Sequence, residues 1–295
     1  MHELLYWALN MSLIASLAGL VVHLLSRIRR VPRRLIALLW AIPLLRLWIP
    51  VGIGSPASLL SLLPVKTVPA FGDMTMTNSL QWADSYHPIT FAEQWVLKVL
   101  QVAAVVWLIV AAALLLVLVL VYVATLSEVR HAEHRQGRVY VSSAVTSPSV
   151  YGVVRPRILL PPSYPEQDLS FVLLHEEAHI RRGDNLWRLL FAITACVYWF
   201  NPLSWLFLKW FTESLETACD ESVLARCGEQ EKRAYAAALL NSTPHGRLSV
   251  SAFGGARIRV RIERILSYKK LSWFAAACLG VFAAFLSWAL LTNAT

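Results

Sequence analysis

Apolar residues run almost without interruption through four stretches of the chain, Leu4 to Leu25, Leu35 to Ile53, Val99 to Leu126 and Leu271 to Leu291. Each approaches or exceeds the roughly 20 predominantly apolar residues that a helix needs to cross a bilayer, and only Arg46 interrupts the second. No basic region precedes the first, so it reads as a retained anchor and not as a cleaved leader. Between the third and fourth stretches the pattern changes. "GRVYVSS" and "SVYGVVRPRILLPP" alternate β-branched with other residues and read as a small hairpin or sheet, ended by Pro161 and Pro162. "PEQDLSFVLLHEEAHIRRGD" has a helical period, with Asp168 as its expected N-cap and Gly183 as its stop. Helices are expected over 211–228 and 229–242 and a loop over 243–257. A basic amphipathic helix, "RIRVRIERILSYKK", then leads into the last apolar stretch.

One further stretch, Leu189 to Leu208, holds 20 residues without a charge. A single crossing there would put the two halves of the 127–270 region on opposite sides of a membrane and leave a basic segment outside, against the positive-inside bias. The stretch is therefore expected to enter and return. "WFNPLSW" supplies the turn, with Asn201 as cap and Pro202 at the first position of the returning helix. Each arm is about 12 residues, too short to span, which makes 187–211 a re-entrant or interfacial hairpin.

Composition agrees with a bilayer as solvent: 57% of the residues are hydrophobic and 15% charged, where a soluble domain has about a quarter charged. The link "RIRRVPRR" carries five arginines, and 127–270 carries 19 Lys/Arg against 14 Asp/Glu. The 54–98 loop carries two lysines and three acids. Positive loops stay in the cytoplasm, so both termini and the 54–98 loop face outward in a multi-pass protein of the plasma (inner) membrane. The net charge of +9 is then an orientation and headgroup signal, and no direct nucleic-acid partner is expected. Domain boundaries follow: a membrane part over 1–126, a soluble domain over 127–270, and a closing helix with a short outer tail over 271–295. The four cysteines, Cys196, Cys219, Cys227 and Cys278, lie where disulfides are not expected and match no four-cysteine zinc spacing.

The chemistry sits in "LLHEEAHIRR". Residues four apart on a helix differ by about 40° in rotation, so His175 and His179 present imidazoles to one point, with Glu176 beside it. That arrangement suits one zinc ion held by two histidines while the glutamate acts on a water. A third ligand is expected from the next helix, where Glu216 and Asp220 share a face in "ETACDE". Glu216 would ligate, and Asp220 would accept a hydrogen bond from a histidine ring and fix its tautomer. Glu213 and Glu221 are near enough to compete but read as a solvated acidic face. Asp184, a turn past His179, could bond the motif helix or pair with Arg181 or Arg188, a surface ion pair being the commoner arrangement.

The His-Glu-x-x-His helix, "WFNPLSW", "LETACDE" and "VVRPRILLPP", set between a three-span N-terminal part and a closing span, resemble the integral-membrane zinc metallopeptidases typified by the β-lactam sensor-transducers. The resemblance implies a membrane α-helical protein of four transmembrane helices bearing a cytoplasmic, mostly α, α+β gluzincin-like metalloprotease domain. It implies His175, His179 and Glu216 as zinc ligands, Glu176 as general base, and Asp220 as the residue that orients a ligand. It also implies that Arg157, Ile158 and Leu159 form the sheet edge on which a protein substrate pairs. The implied activity is regulated proteolysis in signal transduction, of a winged-helix repressor (an antirepressor role) and of the chain itself, with cleavage first sought in "HGRLSVSAFGGAR". A homodimer is a further expectation. The alternatives are a quality-control membrane protease with the same ligands and an inactive signalling scaffold. Because the sequence stops four residues past Leu291, no penicillin-binding sensor domain is expected there. Outside input would come through 54–98, where "QWADSYH" is the contact-prone patch, or through a partner.

Overall fold

The computed structural model describes residues 2–28, 31–49, 94–162, 164–241, 252–268 and 273–292. The patch at 81–87 and residues 245–251 of the expected cleavage segment lie outside them. The chain runs α1 (His2–Arg27), α2 (Arg33–Leu39), α3 (Ala41–Trp48), α4 (Gln94–Arg130), β1 (Glu133–Gln136), β2 (Val139–Val141), β3 (Ser149–Tyr151), β4 (Arg157–Leu160), α5 (Glu166–Arg182), α6 (Asp184–Val197), α7 (Pro202–Leu224), α8 (Glu229–Asn241), α9 (Ala252–Leu266) and α10 (Trp273–Leu291). Among these, α1 and α4 contain segments long and apolar enough to cross a membrane, Leu4–Arg27 and Lys98–Ser127, and α10 is a shorter apolar helix.

The second apolar stretch is not one helix. It divides at Trp40 into α2 and α3, because Pro43 offers no N–H and its ring would meet the carbonyl of Leu39, four residues back. Arg46, the one charge in that stretch, is buried and donates to the Thr292 carbonyl just past α10 (3.1 Å). Much of α4 is uncovered: Val102, Ile109, Leu116, Val119 and Val123 are all exposed.

The turn expected at 199–202 is present. Asn201 caps α7 by accepting from the Leu203 amide (3.0 Å), and Pro202 begins the helix. The tip is anchored from outside: the Asn201 amide donates to Ser16 Oγ of α1 (3.0 Å), and Trp107 of α4 donates to the Val197 carbonyl (2.8 Å). The returning arm and the acidic helix expected over 211–228 are one continuous helix, α7.

A core cluster of Ala18, Val22, Ile36, Trp40, Phe191, Phe207, Phe211 and Leu215 joins α1, α2, α6 and α7. Trp40 donates to Ser214 Oγ of α7 (3.1 Å). Gly19 lets α1 and α7 meet: a Cβ there would fall 2.2 Å from Phe207 Cζ, with two more ring carbons within 2.7 Å. Gly19→Ala is therefore expected to destabilise by about 1–3 kcal/mol through overpacking, read as a lower unfolding temperature in detergent. Gly19→Ala with Phe207→Leu should recover part of the loss, as contacting sites couple.

Beyond α4 the chain forms one four-stranded sheet of order β1-β2-β4-β3, in which β2 and β4 are parallel and the outer pairs antiparallel. This corrects the expected substrate edge. Arg157, Ile158 and Leu159 lie on β4, an interior strand paired on both sides, with Ile158 and Leu159 buried and Arg157 stacked over the Tyr140 ring (4.7 Å). Alternation reports which residues favour strands but carries no strand order. β3 is the edge on the side of the helices. Asp168 is also not a cap: α5 begins after Pro165, and Asp168 accepts from Asn241 of α8 (2.8 Å). The loop expected to run to 257 gives way at Ala252 to α9, whose Ile265 is buried against Val223, Leu224 and Tyr235.

Candidate metal centre

α5 ends at Gly183, which adopts the left-handed conformation (φ 65°) and so turns the chain sharply into α6. α5 and α7 pack together, and this brings the charged end of the α6–α7 hairpin against the histidines. His175 Nε2 and His179 Nε2 are 3.1 Å apart. Glu216 Oε2 lies 3.5 Å from the first and Oε1 3.6 Å from the second. Four ligands at about 2.0–2.1 Å around a zinc ion stand roughly 3.3 Å from one another. The two ring nitrogens and the carboxylate, one oxygen toward each ring, therefore converge at a spacing close to that of zinc ligands. They open onto a cavity of about 290 Å³ whose wall also carries Glu176, Arg188, Arg261 and the Ser147–Val150 segment. Glu176 is 8% exposed and is not one of the three converging donors.

The outer nitrogen of each ring is held from behind. His179 Nδ1 donates to Asp184 Oδ2 (2.7 Å), and Asp184 is 1% exposed, also approached by the Cys219 thiol and the Arg182 guanidinium. Asp184 thus bonds the motif helix from inside and is not part of a surface ion pair. His175 Nδ1 lies 2.9 Å from the Tyr235 hydroxyl, which donates to Asp220 Oδ1 (2.7 Å). Asp220 itself is 3.5 Å from His175, so it reaches the ring through Tyr235 and not by the direct bond expected. Such partners fix ring tautomer and raise ligand basicity.

Three arginines complete the electrostatics. Arg261 of α9 donates twice to Asp220, from Nε and Nη2 (both 2.8 Å), and its Nη1 is 3.5 Å from Glu216 Oε2. Arg188 of α6 donates to Glu216 Oε1 (2.5 Å). Arg182, the last residue of α5, donates to the Leu215 carbonyl in the middle of α7 (3.5 Å), next to Glu216. Burial pushes the Glu216 pKa up, but hydrogen bonds to both histidines and the fields of His179 and Arg261 outweigh it and hold the carboxyl well below its ordinary value. Burial likewise disfavours a proton on His179, yet Asp184, Cys219 and Glu216 together push its pKa up to about 12. Burial raises the Cys219 thiol above its ordinary value, which leaves it a hydrogen-bonding group and not a reactive thiolate.

Of the competing acids, Glu221 is half-buried and bonded: its Oε2 accepts from the Arg33 and Arg34 amides (2.5 and 3.2 Å), covering the start of α2. Tyr235, Arg261 and Asn185 are not singled out by the sequence, and Arg188, expected only as a possible partner of Asp184, instead donates to Glu216. Arg188 and Asn185 had a faint signal, lying within one or two turns of the motif; Tyr235 and Arg261 had none.

Two histidines one turn apart, an intervening glutamate and an opposed glutamate from a crossing helix make a site of the metallopeptidase class. Comparison with known proteins gives the family: the model described as BlaR1 peptidase M56 matches residues 6–263, and the chain belongs to that family. The regulatory protein BlaR1 of Bacillus licheniformis is 30% identical over 141 residues, 44% of this chain and 24% of that protein. The methicillin resistance mecR1 protein of Staphylococcus aureus is 27% identical over 103 residues, 34% of this chain and 18% of that protein. The alignments thus span a quarter or less of these relatives' length.

Proposed function

We propose that the chain is a membrane-embedded zinc metalloendopeptidase of gluzincin type that cleaves proteins on the cytoplasmic side, in regulated proteolysis of a repressor or another regulator. The observation that carries this reading is the convergence of His175 Nε2, His179 Nε2 and the Glu216 carboxylate, 3.1 to 3.6 Å apart at the cavity wall, three residues that would hold one zinc ion. Zinc held there supplies a Lewis acid that polarises the scissile carbonyl and brings a water's pKa toward about 7.

The chain's own residues do the rest. Glu176, on the cavity wall, takes the proton from the attacking water and returns it to the leaving amine. Asp184 and the Tyr235–Asp220 pair keep both Nε2 atoms turned inward. Arg188 and Arg261 hold the Glu216 carboxylate ionised and aimed. The substrate lies extended along β3, the edge that borders the cavity, and pairs with its backbone.

The bilayer reading follows from surface chemistry. An uncovered α4 would expose far more contiguous apolar area than a water-soluble monomer tolerates. We take α1, the α2–α3 pair, α4 and α10 as the four membrane-crossing segments. The α6–α7 hairpin enters and returns between them, which keeps the donors of α5 and α7 on one side. The arginines of 27–34 orient that side inward.

The test is metal content against activity. Protein purified in detergent should carry one zinc per chain by elemental mass spectrometry. Its cleavage of casein should vanish on chelation and return with stoichiometric zinc, and His179→Ala should lower zinc affinity by several orders of magnitude. Full activity in exhaustively chelated protein would sink the reading.

A further inference from the structure

A second concavity lies where the C-terminal ends of the two ligand helices meet the start of α2. Ala178, Arg181 and Arg182 stand at i, i+3 and i+4 on α5, and Ser222, Ala225 and Arg226 repeat that spacing at the end of α7 and in the turn after it. With Arg34 of α2 they line a groove of about 310 Å³. Its lining shares no residue with that of the metal cavity. Ala178, 3% exposed, and Ala225 take up little room, so the groove is bounded chiefly by four guanidinium side chains.

These charges are poorly compensated. Among the described residues, Arg182 alone of the four is paired with a carboxylate, that of Asp184 at 3.5 Å, and Asp184 is already held by His179. Arg34 Nη2 and Arg181 Nε donate to neutral carbonyls, of Glu221 (3.2 Å) and Glu177 (3.4 Å). The Glu221 carboxylate, the other acid close by, is turned to the amides that open α2. Arg226 is exposed, in a turn closed by its own amide on the Val223 carbonyl (2.9 Å). Like charges gathered in one groove repel unless an anion completes them. Guanidinium forks match the oxygens of a phosphate two at a time. The Ser222 hydroxyl, turned to the Ala218 carbonyl (2.8 Å), is a further donor that needs only to rotate.

The position of the groove points the same way. Arg34 lies in the first turn of α2, at the end of the Arg-rich link that the bilayer reading places at the inner headgroup level. Basic pockets beside membrane helices on the cytoplasmic side are where anionic headgroups lodge.

We propose that this groove binds a phosphate-bearing anion, either the headgroup of an anionic phospholipid or a soluble phosphate compound, held at once from α2, α5 and the end of α7. The proposal goes beyond the peptidase reading and does not depend on it. One ligand would grip a membrane helix and both helices that carry the metal donors, so its binding would stabilise their packing.

The test uses the full-length chain in a neutral detergent. Arg181→Gln with Arg226→Gln removes two exposed guanidiniums of the groove that lie outside the metal cavity. Arg130→Gln with Arg138→Gln removes the same charge at exposed positions outside the groove. In one arm, phosphatidylglycerol or phosphatidylcholine is added to the micelles and the lipid retained per chain is counted by native mass spectrometry. In the other, radiolabelled inorganic phosphate is followed by equilibrium dialysis. The parent should retain one phosphatidylglycerol in preference to phosphatidylcholine, or bind one phosphate saturably. Lipid retention without phosphate binding assigns the headgroup as the ligand, and the reverse assigns a soluble phosphate compound. Affinity should fall by about 10- to 100-fold in the groove variant, through loss of two charge-assisted contacts, and by less than about 2-fold in the other, whose charges are screened. Arg181→Lys with Arg226→Lys keeps the charge without the fork and should fall between. Failure of the parent to bind either probe would overturn the proposal, as would equal losses in the two Gln variants or retention of phosphatidylcholine as readily as phosphatidylglycerol.

Discussion

Glu176→Gln should abolish proteolysis and leave the zinc in place. Glutamine matches glutamate in size but has no proton-accepting carboxylate, and loss of a general base typically costs about 10²–10⁴ in rate. Because among the described residues the cavity wall carries no other carboxylate than Glu216, which is held between two histidines and two arginines, the upper part of that range is expected. Glu176 is not among the three converging donors, so zinc stoichiometry and unfolding temperature should stay at parental values. The measurement is kcat on a casein-derived peptide beside elemental analysis of the same sample. A variant that cleaves at the parental rate would remove Glu176 from the mechanism; one that loses its zinc would make Glu176 part of the coordination instead.

Arg261→Met should produce the largest loss of stability. The Arg261 and Asp220 side chains are 18% and 6% exposed and share two 2.8 Å bonds. Removing one partner of a buried pair leaves the other charge uncompensated and typically costs 3–5 kcal/mol. Among the described residues Asp220 would keep the bond from Tyr235 and its approach to His175, and the hydrogen-bonded support behind His175 would loosen. Loss of a supporting partner of this kind lowers metal affinity by about 10–100-fold. Thermal unfolding in detergent and competition with a chelator read the two effects. Arg261→Lys keeps the charge but not the fork that bonds both carboxylate oxygens, so it should fall between. A methionine variant that melts and binds zinc as the parent does would show that α9 is merely adjacent to the site.

These two residues mark what the amino-acid pattern discloses and what it withholds. His175, Glu176 and His179 are legible because a helical turn alone brings them to one point. The Gly183 stop and the Asn201–Pro202 start are legible because caps act within three residues. Glu216 followed from the need for a third donor on the next helix. Arg261 lies 41 residues from Asp220 and Tyr235 lies 60 from His175; nothing local marks either, and only tertiary packing selects them. The β4 edge was misplaced for the same reason, since strand order is a property of the assembled sheet. The break at Trp40 was readable in principle from Pro43, but a run of apolar residues hides a proline's effect on the turn before it.

The contact of Gly19 with Phe207 bears on how the enzyme can be handled. α7 presses Phe207 and Phe211 into α1 and α2 and carries Glu216 little more than one turn past Phe211. A recombinant fragment beginning at Ser127 would strip those aromatic rings of their cover and free the helix that aims the third donor. Biochemistry on this chain therefore calls for α1–α3 to be kept, in lipid or detergent, since they cover the helix that carries Glu216.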